Sequence, residues 1–479
     1  MHFVWLAAFL DGSKADQREP PCEKVLHICP CTIASRGRIE VAVRVKQEAL
    51  QYACQTGRAP LQQALQVIPI PDFVGRPNLL GSLLKIVGIR ILNVQLPQVS
   101  VKLVPNVGVQ VSVVSDLHIG ARLILVPVEL RVGTSILLDV RVLRTAAGFP
   151  VLKVSACKSL LGDVKIILGG RDLLGFLNPL QSHLRAILVN QMCLSISSTL
   201  LQLNARLGTL VGLNSFSPVS QLHYTMIEPP VITGDYIDLD LNAVFTLMGK
   251  PLVSPARPPP FSLPQTSGSG DSMVVLGISE HLLNSVLAMA QQFGSFNFHV
   301  FRQTSASIGH LTTSRLGSFI PAIAHQFPRP EPVGLKVTVS KAPIVTFFEG
   351  RAVLSLHPSV EVVAALSSWT SASQSLFTLD VDVALVLHFA VTEVKLQASV
   401  SLQGGLRFVL VSSRVGSVKV SRVACLIASA FEEALVARLN AVLSVGINLP
   451  CLNNIKYAHP HAEVHKGYAA VSCGLDYEQ

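Results

Sequence analysis

Residues 376–403, LFTLDVDVALVLHFAVTEVKLQASVSLQ, carry the pattern that decides the fold. Apolar and polar side chains alternate along this stretch, which predicts β-strands with one buried face. The alternation runs for about 15 residues, roughly 50 Å of strand, whereas an ordinary strand has about 5–6 residues. The phase shifts by one residue near Val394, which indicates a turn or a β-bulge. The first arm has one apolar face, formed by Phe377, Leu379, Val381, Val383, Leu385, Leu387, Phe389 and Val391.

The N-terminal half shows the same pattern in a different sequence. Alternation over residues 98–113, interrupted at Pro105, predicts a β-hairpin with one buried face. Long amphipathic helices are predicted over 172–206, with a bend or an interruption at Pro179, and over 422–446. We therefore predict an α+β fold with a duplicated unit, in which long antiparallel strands wrap around long helices as elongated barrels.

Shifts in composition divide the chain into segments. Residues 251–270, PLVSPARPPPFSLPQTSGSG, hold six prolines and end in Gly and Ser, which predicts a linker. The segment separates a domain over 37–250 from a domain over 271–479. Residues 1–36 are interpreted as a polar tail or a degraded signal segment, because the apolar run at 3–10 lacks a basic start.

The composition is unusually apolar, with 49% hydrophobic residues, 14% charged residues and a mean hydropathy of +0.49. No stretch approaches the roughly 18–20 uninterrupted apolar residues of a membrane-spanning helix, so no transmembrane segment is predicted. The apolar surplus must then be buried, either in a plain core or around a lumen that takes an apolar ligand. Composition leaves both alternatives open.

The formal net charge is +9, and most of the excess positive charge lies in residues 1–250. Such a balance suits anionic lipid headgroups, although a basic soluble surface without a specific partner is the preferred interpretation. The basic residues are dispersed, and only 6% of the chain is aromatic. A nucleic-acid partner is therefore not predicted.

Catalytic motifs are missing from the sequence. Neither G-x-S-x-G, G-x-G-x-x-G nor a P-loop occurs, so we predict a protein that is not an enzyme and needs no cofactor. The segment HAEVH would place His461, Glu463 and His465 on one face of a strand. That arrangement permits a metal site, but a solvated strand face is the preferred interpretation.

The chain contains nine cysteines. Cys157 ends a predicted strand and Cys193 lies on the long N-terminal helix, so a bridge between them would fasten helix to sheet. Two free thiols buried in a cytosolic protein are the alternative.

The other cysteines are less informative. Cys22, Cys29 and Cys31 lie in the N-terminal tail, where C-x-C is a weak zinc signal. Cys451 and Cys473 flank the last hairpin-like segment, and a disulfide between them is a hypothesis.

Several segments together resemble one known family. The sequence is similar to bactericidal/permeability-increasing protein, lipopolysaccharide-binding protein and the PLUNC proteins, and the similarity extends over most of residues 44–479. The segments that carry it are GRAPLQQALQV (57–67), IRILNVQLPQVSVKLV (89–104), VSACK (154–158), CLSIS (193–197), LGTLVGLN (207–214), YIDLDLNAVFTLMGKP (236–251), FIPAIAHQFP (319–328) and QSLFTLDVDV (374–383).

This resemblance implies an elongated boomerang of two barrels with a central sheet between them. Residues 37–250 would supply the N-terminal barrel and strands of the central sheet. Each barrel of the family has an apolar pocket that holds a phospholipid or another amphipathic lipid. The family's shared disulfide matches Cys157 and Cys193, which implies an oxidising compartment and hence secretion. Retention in the lumen of the endoplasmic reticulum is the alternative, because residues 1–36 match nothing in the family.

The resemblance also suggests lipid-pocket residues on the inner faces of the helices, although ordinary core packing is the alternative for each. They are Leu50, Leu184 and Leu188 in the N-terminal barrel and Leu283, Val286, Phe431 and Leu435 in the C-terminal barrel.

A second hypothesis is that the chain is a host-defence protein of innate immunity, which binds lipopolysaccharide or microbial surfaces with little lipid cargo. The dense basic tip of the bactericidal relatives is not evident. Arg44, Lys46, Lys85 and Arg90 are the sparse candidates for contacting an endotoxin.

Overall fold

The fold was analysed in a computed structural model. It describes residues 39–74, 85–123, 126–168, 171–172, 178–207, 214–217, 220–247, 250–252, 261–264, 272–301, 307–365, 373–450 and 455–477.

The N-terminal half contains long strands and one long helix. Its elements are β1 (Val41–Lys46), α1 (Gln47–Thr56), α2 (Arg58–Gln66), β2 (Phe73–Val74), β3 (Lys85–Val104), β4 (Gly108–Leu123), β5 (Val126–Arg144), β6 (Pro150–Leu168), β7 (Arg171–Asp172), α3 (Asn178–Leu207), β8 (Asn214–Ser217), β9 (Ser220–Met226), β10 (Val231–Ile232), β11 (Tyr236–Leu247) and β12 (Lys250–Leu252).

The C-terminal half repeats the order of a strand and a helix, then antiparallel strands, then a long helix. Its elements are β13 (Val274–Ser279), α4 (Glu280–Gln292), β14 (Phe298–Val300), a 3₁₀ turn (Ser307–His310), α5 (Thr313–Gly317), α6 (Pro321–Gln326), β15 (Val333–Thr338), β16 (Ile344–Phe348), β17 (Arg351–Leu356), β18 (Ser359–Ala365), β19 (Ser373–Val391), β20 (Lys395–Leu402), β21 (Arg407–Ser413), α7 (Val420–Leu443), β22 (Ile447–Asn448), β23 (Ile455–His465) and β24 (Tyr468–Tyr477).

The N-terminal sheet has the order β2-β3-β4-β5-β6-β7 and is antiparallel throughout. Its alternating sequence buries one face against α2 and α3, where Leu65, Leu184 and Leu188 are almost fully buried. The interruption predicted at Pro179 is not found. Because α3 begins at Asn178, this proline lies in the first turn, where its missing N–H is not needed.

The C-terminal sheet is organised around β19, whose 19 residues confirm the long strand predicted from the alternation. One edge of β19 pairs with β18 and then β17, and the other edge pairs with β21 and then β20. The predicted phase shift is a tight turn, in which Thr392 N donates to Lys395 O at 2.9 Å. Helix α7 packs its apolar face against β20 and β21, with Ile427 and Leu439 buried.

A central sheet of the order β23-β24-β13-β1-β11-β9-β8 contains strands from both halves of the chain. Strands β1 and β13 are its middle pair, with Val41 opposite Ile278 and Val45 opposite Val274. This confirms the central sheet that the family resemblance implied.

The predicted barrels require a correction, although the α+β class is confirmed. Within the described residues none of the three sheets closes on itself. At the edge of the N-terminal sheet, the Asn204 side chain on α3 bonds both Leu152 N (2.7 Å) and Leu152 O (2.9 Å) on β6. A helix thus satisfies backbone groups that a closing strand would have paired.

Candidate functional site

An apolar cavity of about 440 Å³ lies in the C-terminal half, between α4, the end of α7 and the sheet strands that face them. Helix α4 contributes Leu283, Val286, Leu287, Met289 and Ala290, the sheet contributes Val345, Leu387, Phe389, Leu396 and Ala398, and the end of α7 with the following turn contributes Val442, Leu443, Val445 and Ile447.

Helix α4 is held in place by polar side chains at its start. Ser279 Oγ accepts a hydrogen bond from Leu282 N at 3.1 Å, which caps the helix. The Asn284 side chain bonds Val345 through both N (2.7 Å) and O (3.0 Å), so the helix is fixed to β16. The apolar residues of α4 therefore line the cavity from a rigid element.

The opposite wall is fastened in a similar way. Asn440 Oδ1 on α7 accepts a hydrogen bond from Val400 N on β20 at 2.7 Å. Gln397 Nε2 donates to Ser444 O at 2.7 Å. These bonds hold α7 and the turn after it against β20, so the cavity lies between anchored elements.

The mouth of the cavity is apolar and faces solvent. Phe293 and Val445 both line the cavity, yet their exposed fractions are 47% and 53%. No charged side chain is found among the described lining residues, and Ser295 and Gln397 are the polar ones. Such a lining favours an apolar guest that enters from this side.

The predicted C-terminal pocket residues divide into two groups. Leu283 and Val286 line the cavity. Phe431 and Leu435 are almost fully buried on α7 and pack within the core, where Phe408 lies edge-on to Phe431 with ring centroids 6.1 Å apart. The alternation of β19 contained Phe389, but an alternating pattern does not distinguish cavity residues from core residues.

The predicted N-terminal pocket residues are not brought together. Leu184 and Leu188 are buried on α3 beneath the N-terminal sheet. Leu50, on α1, packs instead against the core cluster that joins the central sheet to the C-terminal half.

The predicted disulfide is present. Cys157 on β6 is bonded to Cys193 on α3, with a Cα–Cα distance of 6.1 Å. The hypothesis of a disulfide at Cys473 is wrong, because Cys473 is a free thiol whose burial raises its pKa to about 12. Its proposed partner Cys451 lies outside the described residues, as does the tail with its weak zinc signal.

Two of the four endotoxin candidates are engaged within the protein. Arg44 is buried, and its Nε lies 2.8 Å from Asp238 Oδ1, while its Nη1 donates to Pro264 O at 2.7 Å. Lys46 Nζ lies 2.7 Å from Ser272 Oγ. The expectation that Arg44 contacts an endotoxin is therefore wrong, since its guanidinium already holds a carboxylate and a backbone carbonyl.

The outer face of the N-terminal sheet carries exposed cations. Arg131 on β5 lies directly opposite Lys165 on β6, and both are exposed. Arg122, Arg90 and Lys85 are also exposed on the neighbouring strands. We call these five residues the basic face.

A second cavity, of about 640 Å³, lies where the β16–β17 turn, β19 and β23 meet. Leu387 and Phe389 line both cavities, so the two adjoin. Unlike the first cavity, this cleft has charged side chains in its lining, namely Glu349, Arg351 and Glu463, together with His388, His465 and several apolar residues.

The metal alternative for this strand gains no support. His465 Nδ1 lies 3.0 Å from Glu349 Oε1, so an acidic residue of the β16–β17 turn already engages the imidazole. In the part of the chain that is described, no group of three His, Cys, Asp or Glu side chains could hold a metal ion. Among the same residues, no helix is long and apolar enough to span a bilayer.

Comparisons with known proteins agree with this architecture. Residues 49–204 match the N-terminal domain and residues 215–477 match the C-terminal domain of the LBP / BPI / CETP family. BPI fold-containing family B member 2 of Homo sapiens is 39% identical over 437 residues, which are 91% of this chain and 94% of that protein. Bactericidal permeability-increasing protein of Sebastes schlegelii is 26% identical over 91% of this chain and 95% of its own.

A solved structure shows the same fold. The crystal structure of lipopolysaccharide binding protein aligns with a TM-score of 0.61 at 22% identity, over 92% of this chain and 100% of that one. The domain matches extend over both halves, and the human relative is similar along nearly its whole length. This chain therefore belongs to the LBP / BPI / CETP family.

Proposed function

We propose that this chain is a secreted, non-enzymatic lipid-binding protein that holds an acyl chain in its C-terminal apolar cavity. The observation that carries the proposal is the cavity itself, with about 440 Å³ of space and no charge among its described lining residues. Family membership supports lipid or lipopolysaccharide binding in general. The Cys157–Cys193 disulfide supports an oxidising compartment and hence secretion.

The physics of the cavity predicts how affinity depends on the guest. Each buried methylene contributes about 0.8 kcal/mol, so removing one carbon from the chain should weaken binding about fourfold. Ordering both partners opposes binding, so short chains should not bind measurably. Headgroup chemistry should matter less than chain length, because the lining is uncharged.

A blocking substitution tests the proposal. Ala290 lines the cavity on α4, and Ala290→Trp should fill the space and abolish uptake of a fluorescent fatty acid. Ala288→Trp is the matched control, because Ala288 is on the same helix, is also partly exposed and does not line the cavity. Ala398→Trp on β20 blocks the cavity from the other wall and serves if the first variant does not fold.

The control and the blocking variants have different expected outcomes. We expect organic extracts of the wild type and of Ala288→Trp to contain lipid. The two blocking variants should hold no lipid in this cavity, so their extracts should contain less lipid per protein molecule. Equal lipid stoichiometry in all four folded proteins would contradict the proposed site. Absence of extractable lipid in the wild type, together with no fatty acid uptake, would contradict the function.

A second function, recognition of an anionic microbial surface, is favoured by the basic face. Arg131→Ser with Lys165→Ser should weaken binding to lipopolysaccharide, and the remaining binding should fall at about 0.5 M salt because exposed charges are then screened. Lys336→Ser with Arg407→Ser removes the same charge from the C-terminal half, where each cation lies near a carboxylate. Equal binding of lipopolysaccharide by both double variants would contradict this second function.

A further inference from the structure

We propose that one end of the C-terminal sheet docks on the surface of a bilayer that contains anionic phospholipids. This surface, which we call the far end, consists of the segments 307–332 and 414–422. It is separate from both cavities and from the basic face, so the inference goes beyond the proposed function.

The register of the strands brings the two segments to the same end of the sheet. Segment 307–332 leads directly into β15, whose Val333 pairs with Ala364 at the end of β18. The end of β18 pairs with the start of β19, and Phe377 near that start pairs with Ser413 at the end of β21. Segment 414–422 continues from β21, so both segments lie beside the start of β19.

The far end is remote from the rest of the protein. At the opposite end of β19, Tyr457 N on β23 of the central sheet donates to Glu393 O at 2.8 Å. Strand β19 has 19 residues and therefore extends roughly 60 Å. Leu387 and Phe389, which line both cavities, lie in its last turn-proximal part. A partner at the far end would therefore not block either cavity.

The far end carries positive charge with little negative charge to offset it. Its Lys and Arg residues are all exposed, and Glu331 is its only acidic residue. None of these cations forms an ion pair or a side-chain hydrogen bond with another residue that the structure describes. They are therefore available to an outside partner. The five cations are Arg315, Arg329, Arg414, Lys419 and Arg422.

The composition of the C-terminal half conceals this positive end. Residues 251–479 hold 15 Lys and Arg and 13 Asp and Glu, so the half is almost neutral. Neither Asp nor Glu occurs in the stretches 281–330, 362–379 and 394–431, which surround the far end in sequence and contain most of it. The acidic residues lie elsewhere, so the charge of this half is separated along the sheet and creates a positive field at one end.

Two of the cations lie where the electrostatics of the fold disfavours them. Lys419 is the N-cap residue of α7 and Arg422 lies in the first turn, which contains no acidic residue. The N-terminus of a helix carries partial positive charge and favours acidic side chains, so both cations reduce the stability of α7. Such a conflict with local stability is typical of functional sites.

An exposed aromatic ring belongs to the same surface. Phe319, between α5 and α6, is 37% exposed, although its neighbours Leu316 and Ile320 are almost fully buried. The segment is closed at its base, where Thr313 N donates to Glu331 O at 2.9 Å. A fixed backbone therefore presents Phe319 to solvent.

A bilayer surface suits both the cations and the ring. Anionic headgroups attract exposed Lys and Arg, and each such residue near the surface strengthens binding by about fivefold. The boundary between headgroups and acyl chains buries an apolar ring such as Phe319. A sulfated polysaccharide would pair with the cations but has no apolar phase for the ring, so the combination favours a lipid surface.

Matched triple variants test the inference by co-sedimentation with vesicles of phosphatidylcholine and phosphatidylglycerol in equal parts. The far-end variant combines Arg315→Ser, Arg329→Ser and Lys419→Ser. The control combines Lys336→Ser, Lys341→Ser and Arg407→Ser, which remove the same charge from exposed positions elsewhere in the C-terminal half. We expect the far-end variant to bind roughly 100-fold more weakly than the wild type, and the control to lose less than about fivefold. Vesicles of phosphatidylcholine alone should not bind the wild type.

A fluorescence measurement tests whether the ring enters the bilayer. Phe319→Trp should be quenched by brominated acyl chains in the same vesicles, beyond the quenching seen in the wild type. No additional quenching would overturn the assignment to a bilayer surface.

The other outcomes are equally decisive. Equal losses in the two triple variants would show that net charge alone matters and would overturn the proposed surface. Failure of the wild type to bind the anionic vesicles, or binding to heparin in their place, would overturn it as well. Arg414→Ser with Arg422→Ser should weaken binding about 25-fold and serves if the far-end variant does not fold. Fatty acid uptake should be unchanged in the far-end variant, so failure of this inference is distinguishable from failure of the proposed function.

Discussion

At the scale of single residues, Gly446 is the position at which backbone geometry shapes the cavity. It follows α7 and has a φ of 72°, in the left-handed region that favours glycine. A Cβ at this position would lie 2.8 Å from Leu396 O, a backbone atom of the cavity wall. Only a glycine at position 446 therefore allows the turn to approach β20 this closely.

This geometry predicts the effect of Gly446→Ala. The variant should lower the free energy of unfolding by roughly 2–4 kcal/mol, because a positive φ and a backbone clash add together. Gly404→Ala is the control, since Gly404 has a φ of 88° but no atom within 4 Å of its Cβ, and it should lose only about 1 kcal/mol. Urea unfolding measures both. Equal losses would show that the close approach to Leu396 contributes nothing.

The predicted pocket residues of the C-terminal half divide into two groups for a physical reason. Leu283 and Val286 lie on the cavity wall, whereas Phe431 and Leu435 belong to the packed core. Helical periodicity identifies the apolar face of a helix but not how far the facing sheet lies from it. Arg44 was misassigned for a similar reason, because its partner Asp238 is remote in sequence.

At the scale of elements, the disulfide fastens the longest helix to the N-terminal sheet. It joins β6 to α3 with a sequence separation of 36 residues. Replacing both cysteines by alanine should lower the free energy of unfolding by about 4 kcal/mol, because the unfolded chain gains conformational entropy when the loop is no longer closed. Urea unfolding of the double variant measures this, with Cys425→Ala, an exposed free cysteine, as the control. A loss no larger than that of the control would mean that the bridge does not constrain the unfolded state.

The elements themselves were largely predictable, but their assembly was not. The alternation in 376–403 predicted β19, the turn after it and β20, because a period of two is a local property of the chain. Whether a sheet closes depends on which groups pair with its edge strands. In the N-terminal sheet one such partner is Asn204, which bonds Leu152 on β6 from 52 residues away in sequence, and no local pattern indicates that contact.

At the scale of the whole molecule, the central sheet joins the two halves into one unit. Strand β1 pairs with β11 on one side and with β13 on the other, so N-terminal and C-terminal segments share one hydrogen-bonded ladder. Glu40, just before β1, places Oε1 2.9 Å from His281 Nδ1 on α4. The two halves should therefore unfold together rather than as independent domains.

Arg44 offers a test of that coupling. Its guanidinium holds Asp238 on β11 and Pro264 O in the proline-rich segment, and it lies 3.9 Å over the Tyr236 ring. Arg44→Met keeps an apolar stem but leaves Asp238 without this cation. We expect a loss of about 2–3 kcal/mol, below the roughly 3–5 kcal/mol of a fully buried pair, because the Asp238 side chain is 27% exposed.

Hydrogen exchange with mass spectrometry locates the loss. In Arg44→Met, protection should fall by similar amounts in β11 and β13, which flank β1 from opposite halves of the chain. Lys336→Met is the control. It breaks the ion pair between Lys336 and Glu361, whose charged atoms lie 3.7 Å apart and whose Lys336 side chain is 53% exposed. This variant should change protection by less than about 1 kcal/mol. Loss of protection confined to β11 would show that the halves are energetically separate, despite the ladder that runs through both.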